Sequence, residues 1–464
     1  MIAGVAAGHP ATARAGVEIL TNGGNAADAA VAAALASCVA ETVMTGLLGG
    51  GHAIYYDAAA GVARNLDFFC AVPGLGTEWH DPELVHLEVP FGAELVHYAV
   101  GPASCAVPGV PAGLGALWDA HGSLPWQRLV EPALELARSG VAMPKAHVAC
   151  LRMLEPVMTL REGARMYAPH GALLEPGDLL EQPGLVAALE SLAAEGAAGA
   201  YGGTIGTSLL ELSGERGGLV TEDDLDVYAA TWSTPVETTR LERRFLTRGG
   251  LSGVPETIAR LPSLRGLSPA ERLVSLVDAL DVGPGPETHT TNLVSVDRDG
   301  NACVLTTSLG LGSGDWLPGL DLHLNSMLGE TDLLHGALVP GARMQSMMAP
   351  TLVFDGAELE LAIGAAGGTR LRTALVTVAA AILDEGLDPQ AAVDRPRVHV
   401  ADGVANAEPG ADEDGLALLE ARGLAVRRWP ERHHYFGGVS ASAAAGAAAD
   451  PRRSGAALLA PGAG

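Results

Sequence analysis

Apolar positions at helical spacing open the chain. Ala15, Ile19 and Leu20 form a stripe over residues 11–20, and Asn22-Gly23-Gly24 ends it. Asn25 then stands where a helix cap belongs, with Asp28 in the first turn, where the helix dipole favours an anion. The next helix runs to about Val39 and is apolar nearly all round, so it is expected to be buried. Gly49-Gly50-Gly51 leads into a strand over residues 53–56, and a second strand ends near Phe68-Phe69. Helical periodicity returns at 112–121 and 126–139, and short helices are expected at 203–213 and 222–229. Residues 234–253 are polar and Arg-rich, and no element is assigned there. Two short helical stretches follow, then the linker Val282-Gly283-Pro284-Gly285-Pro286, the sharpest composition break in the chain.

Beyond that linker the period changes to two. Residues 290–296 and 302–308 read as strands around Asp297-Arg298-Asp299-Gly300-Asn301, a strong hairpin turn. A second hairpin fits 351–354 and 359–363 around Asp355-Gly356. The run Gly364-Ala365-Ala366-Gly367-Gly368-Thr369-Arg370 then opens a helix reaching about Asp384. Strands set between long helices predict an α/β layered fold.

Composition narrows the partners. The 464 residues carry a formal net charge of -26, which repels nucleic acid and anionic membrane. Neither is an expected partner. The five cysteines, Cys38, Cys70, Cys105, Cys150 and Cys303, form no CxxC pair and read as small core residues. Residues 1–10 have no basic segment followed by a long apolar run, so the expected location is the cytoplasm. No cofactor is expected. His433-His434 lacks a third ligand at useful spacing, so no metal is expected either.

One constellation carries chemistry. Thr290-Thr291 alone is an ordinary strand start, since β-branched residues favour strands. But Thr290 follows the Gly/Pro linker, a place where a chain can be cut. A cut there would give it a free α-amine, a group that ordinarily titrates at about 7.7–8.0. That amine could serve as base for the residue's own hydroxyl. Counting outward from a turn centred on Asp299 sets Val296 against Ala302 and Thr290 against Ser308, a second hydroxyl on the same face. Gly367 and Gly368, at a helix start, could offer backbone N–H groups to an oxyanion. On its own that run reads better as a plain strand-to-helix turn with no ligand. No Gly-x-Ser-x-Gly elbow and no Walker loop is present.

Together these pieces resemble the γ-glutamyltransferase family of N-terminal-nucleophile hydrolases, over nearly the whole chain. The motifs that carry the resemblance are His9-Pro10, Gly23-Gly24-Asn25-Ala26-Ala27-Asp28, Gly49-Gly50-Gly51, Val107-Pro108-Gly109, Gly217-Gly218-Leu219-Val220-Thr221, Asp394-Arg395-Pro396-Arg397 and, above all, Thr290-Thr291 with Asp297-Arg298-Asp299-Gly300-Asn301. The resemblance implies a four-layer αββα sandwich. It also implies a precursor that cuts itself into a large chain, 1–289, and a small chain, 290–464, woven into one globular unit. Thr290 takes the nucleophile's position, Ser308 that of its supporting hydroxyl, and Gly367 and Gly368 those of the oxyanion hole. Ser346 takes the first place of a serine pair that helps hold the donor carboxylate.

The departures concern the donor. Where the family places a carboxylate-gripping arginine, this chain has Phe69. Met347 replaces the second serine, and Gly310 replaces an Asn beyond the supporting hydroxyl. Of the groups that hold the donor's α-amine, Asn325 and Glu330 remain. Charged hydrogen bonds contribute roughly 1.5–3 kcal/mol each, so their loss weakens a zwitterionic γ-glutamyl donor by orders of magnitude. The expectation is a self-processing acyl-transfer hydrolase acting on an amide-type donor, with water or an amine as acceptor and altered donor choice. Arg343 or Arg370 could instead grip the carboxylate and preserve ordinary glutathione hydrolysis and transfer. Two further alternatives are C–C bond cleavage by the same threonine, as in biosynthetic relatives, and a non-catalytic scaffold.

Overall fold

The computed structural model describes residues 1–78, 83–91, 94–280, 290–330, 333–334 and 336–462. The Gly/Pro linker and His289 lie outside the described residues.

Two antiparallel sheets form the centre. The first runs in the order Ala456–Leu459, Gly4–Ala7, Thr291–Val296, Ala302–Ser308, Gly50–Asp57, Val62–Phe68 and Thr231–Ser233. The second runs Gly446–Ala449, Gly438–Ala443, Glu358–Ala366, Thr351–Asp355, Arg243–Thr247 and Val236–Arg240. Side chains alternate across each strand, so each sheet has two apolar faces to bury. Ile54, Val294, Val296 and Val304 of the first sheet pack on Leu352, Phe354 and Ala362 of the second. The outer face of the first sheet, including Leu293, Cys303 and Leu305, packs on the Ala26–Ala40 helix. The outer face of the second, including Val353, Leu361 and Ile363, packs on the Arg370–Leu383 helix.

The Ala26–Ala40 helix is buried along its whole length, as its composition predicts. Asn25 caps it, accepting from the Ala27 and Asp28 N–H groups, while the Asp28 carboxylate accepts from the Asn25 N–H. Each such cap satisfies backbone donors the helix leaves open. The hairpin register is the predicted one: Val296 faces Ala302 and Thr291 faces Thr307. Asp297 holds the turn by accepting from the Asp299 N–H, the Asn301 N–H and the Asn301 amide. All five cysteines are buried and free.

Three expectations are corrected. Gly364, Ala365 and Ala366 finish the Glu358–Ala366 strand, and the helix starts only at Arg370. The Arg-rich stretch contains a hairpin, Val236–Arg240 with Arg243–Thr247, turned by Leu241 and Glu242 at φ of 49° and 68°. Gly4–Ala7, to which the residue pattern assigns no element, is a central strand of the first sheet.

Candidate active site

Thr290 immediately precedes its strand and is buried. Ser308 ends the partner strand, one step beyond Thr307. Both line one narrow pocket, together with Phe69, Met327, Glu330, Leu333, Ser346, Met347, Met348, Gly368 and Leu371. Of the residues singled out in the sequence, Thr290, Ser308, Gly368, Phe69, Glu330, Ser346 and Met347 therefore meet there. The free volume is only about 20 Å³, near that of one or two water molecules.

The pocket is apolar with a few polar edges. Phe69 is turned into place by its own N–H, which bonds to Asp67 Oδ1 at 2.9 Å, and its ring stacks on His52 at 5.6 Å. Opposite stands Glu330, also buried. Gly310 explains how Glu330 fits. It adopts φ +68°, and a Cβ there would lie 2.1 Å from Glu330 Oε1. The carboxylate fills the space a side chain at 310 would need. Ser308 Oγ accepts the Gly310 N–H at 2.9 Å, which ties the hydroxyl to the same turn.

Gly368 lines the pocket at φ +57°, and Gly367 beside it adopts φ +124°, both in the region that favours glycine. Gly367 is packed instead against Gly437 and Arg453: a Cβ would lie 2.9 Å from Gly437 Cα. Asn325 does not reach the pocket. Its amide is bonded to the Leu48 and Ala106 carbonyls, and its oxygen to the Ala106 and Met327 N–H groups. In this fold it is a buried brace between loops.

Neither alternative cation lines the pocket. Arg343 donates to the Phe69 and Ala229 carbonyls at 2.6 Å each and lies over the Tyr228 ring. Arg370 is fully buried, donates to the Tyr435 carbonyl and lies over the Tyr435 ring.

Thr290 also borders a second small cavity, lined among others by Glu41, Met44, His147, Thr291 and Arg453 and by Ala366 and Gly438 of the second sheet. No local signal marks this group in the sequence, because its members are hundreds of residues apart. Arg453 donates to the Thr290 carbonyl at 3.4 Å. Glu41 accepts from Thr12 Oγ1 at 2.6 Å and from Thr291 Oγ1. Burial raises the Glu41 carboxyl to about 7, opposed only in part by those two hydroxyls and by the Arg453 charge. Burial lowers His147 to about 3, so it is neutral at physiological pH.

Among the described residues no cluster of His, Cys, Asp and Glu could hold a metal ion, and no helix is long and apolar enough to cross a membrane.

Comparisons with known proteins bear on the family and the fold. The Gamma-glutamyltranspeptidase family model matches residues 12–271 and 277–460. The Acylase ACY 1 proenzyme of Pseudomonas sp. (strain V22) is 28% identical, with 92% of this chain and 87% of that protein covered. The Glutathione hydrolase proenzyme of Escherichia coli (strain K12) is 27% identical over 91% of this chain and 86% of its own. Among solved structures, the cephalosporin acylase from Bacillus halodurans superposes with a TM-score of 0.83 at 22% identity, over 99% of this chain and 96% of that one. That likeness speaks to fold. With the family match spanning nearly its whole length, this chain is an enzyme of the gamma-glutamyltranspeptidase family.

Proposed function

We propose that this enzyme is a self-processing acyl-transfer hydrolase in which Thr290, freed as an N-terminus, is the nucleophile. The observation that carries the reading is the shared pocket of Thr290, Ser308, Gly368, Ser346 and Glu330. Cleavage before Thr290 leaves residues 1–289 and 290–464 as two chains of one folded unit. The packing of helix on sheet, sheet on sheet and sheet on helix supports a four-layer αββα sandwich of the N-terminal-nucleophile type. In turnover Thr290 Oγ attacks the donor carbonyl and its proton passes to the Thr290 amine. N–H groups of Gly367 and Gly368 stabilise the oxyanion, and Ser308 orients the nucleophile. The amine then protonates the leaving amine. Water or a second amine resolves the acyl-enzyme.

The donor differs from a γ-glutamyl group. Phe69 cannot compensate a buried carboxylate, and Arg343 and Arg370 are engaged outside the pocket. Among the described residues, Ser346 and Glu330 are the polar side chains that line it besides Thr290 and Ser308. An acyl amide without the α-carboxylate fits this lining better than glutathione. The relatives include both an acylase and a glutathione hydrolase by name, and the apolar lining favours acylase-like donors. Intact mass of the purified protein, followed by kcat/KM over γ-glutamyl and neutral acyl amides, tests the reading. An uncut active protein would refute the nucleophile, and efficient glutathione turnover would refute the donor choice.

A further inference from the structure

The cavity behind Thr290 holds a carboxylate that the mechanism above does not use. Glu41 caps the C-terminal end of the Ala26–Ala40 helix, where the helix dipole disfavours a negative charge. The residue is 1% exposed. One oxygen accepts from Thr12 and the other from Thr291, the residue next to the nucleophile. Gly8 makes room for this contact: a Cβ there would lie 2.4 Å from Glu41 Oε2 and 2.7 Å from Thr291 Oγ1. Thr290 lines the same cavity, whose free volume of about 20 Å³ matches that of a bridging water. An ionised carboxylate has about four acceptor positions. Two are filled by the hydroxyls, and the others can meet a donor from the cavity.

We propose that Glu41 is a positioning residue that holds and returns the proton of the Thr290 α-amine, and so sets the pH at which that amine can act as base. The inference rests on the reading that Thr290 becomes an N-terminus. The proton balance is closed. A proton leaves the ammonium for the Glu41 carboxylate, giving a neutral amine and a neutral acid. The amine then takes the Oγ proton as the Oγ–carbon bond forms. When the donor's C–N bond breaks, the amine passes that proton to the leaving nitrogen. Glu41 keeps the first proton through these steps and returns it when the amine is next protonated.

The surroundings favour Glu41 for this role. Cys38, on the same helix, is held up at about 12 by burial and stays a thiol. His9, at the start of the first helix, is lowered by burial to about 4, and His147 to about 3, so both are neutral. Arg453 supplies a fixed positive charge. Burial raises Asp450, but Arg397 and Arg452 overcome this and keep it ionised and paired. On the donor side of Thr290 stands Glu330. Within the cavity Glu41 is thus the group that titrates nearest the amine's own range. An opposite charge at close range shifts a pKa by about 1–3 units.

The test is the pH profile of kcat/KM for the matured enzyme. A pair that shares one proton loses its base only when a second proton binds, so Glu41→Gln, which leaves the amine to titrate alone, is expected to move the acid limb to higher pH by about one unit. Thr12→Val, which removes one hydroxyl but keeps the shape, is expected to move it the same way by less. It also serves if Glu41→Gln fails to fold. A wild type that is cut at Thr290 while the acid limb stays unmoved in the folded variants overturns the inference alone. A limb that moves only in Glu330→Gln overturns it too. A wild type that is never cut removes the N-terminal amine, and the inference falls with the reading beneath it.

Discussion

Thr290 precedes and Ser308 follows the last rung of the hairpin, the Thr291–Thr307 pair, and both border the same pocket. Directly opposed residues on a strand pair share a face and lie close at Cβ. The turn that sets this register, held by Asp297 and Asn301, lies far from the pocket.

Replacing the Ser308 hydroxyl is expected to slow both self-cleavage and turnover. Removing a hydrogen bond to a charged group costs about 1.5–3 kcal/mol, so Ser308→Ala should lose roughly 10- to 100-fold in each. Single-turnover kinetics and the rate of fragment appearance check this. Loss of turnover with normal cleavage would separate the two roles.

Maturation has its own measurement. Wild type is expected as fragments 1–289 and 290–464 by intact mass, with the second beginning at Thr290. Thr290→Ala is expected to remain one chain. A cut elsewhere in the linker would displace the nucleophile assignment.

The proposed donor choice is tested at Phe69. Phe69→Arg is expected to raise kcat/KM for glutathione relative to a neutral acyl amide, by about tenfold or more if one charged bond forms. An unchanged ratio would show that the pocket's selectivity lies in Met327 or Met347 instead.

A fourth expectation concerns stability. Asp450 bonds to Arg397 and Arg452, and Arg452 also bonds to Glu408, all buried. Breaking one partner of a buried ion pair typically costs about 3–5 kcal/mol, so Asp450→Asn should unfold at clearly lower denaturant. Burial raises the Asp450 carboxyl, yet the two arginines hold it below its ordinary value. A carboxyl lowered on folding contributes stability above its unfolded pKa, and that contribution is lost as pH falls through the folded value. Wild type should therefore lose stability in acid, below about pH 4, and Asp450→Asn should lose less.

Much of this site is legible in the sequence because its signals are local. The Asp297–Asn301 turn sets a register by backbone chemistry alone, and that register carries Thr290 and Ser308. Asn25 and Asp28 announce a helix start in the same way. What escapes depends on distant partners. Gly4–Ala7 is made of small residues with no period, and it is a strand because Leu293–Val296 and Ala456–Leu459 flank it. The Val236–Thr247 hairpin turns on Leu241 and Glu242, residues that seldom adopt positive φ. Asn325 is singled out through family likeness, and its four backbone bonds keep it out of the pocket. Glu41 meets Thr12 and Thr291 only through tertiary packing.

The order of strands in the first sheet sets a rule for how the molecule can be made. Gly4–Ala7 is hydrogen-bonded on one side to Thr291–Val296 and on the other to Ala456–Leu459. A cut before Thr290 would leave a strand of one fragment clamped between two strands of the other. Such pieces cannot be pulled apart without dissolving the sheet, nor exchanged between molecules as subunits are. If the chain is cut there, folding has to come before scission, and two halves synthesised separately would face an assembly problem that one continuous chain does not meet.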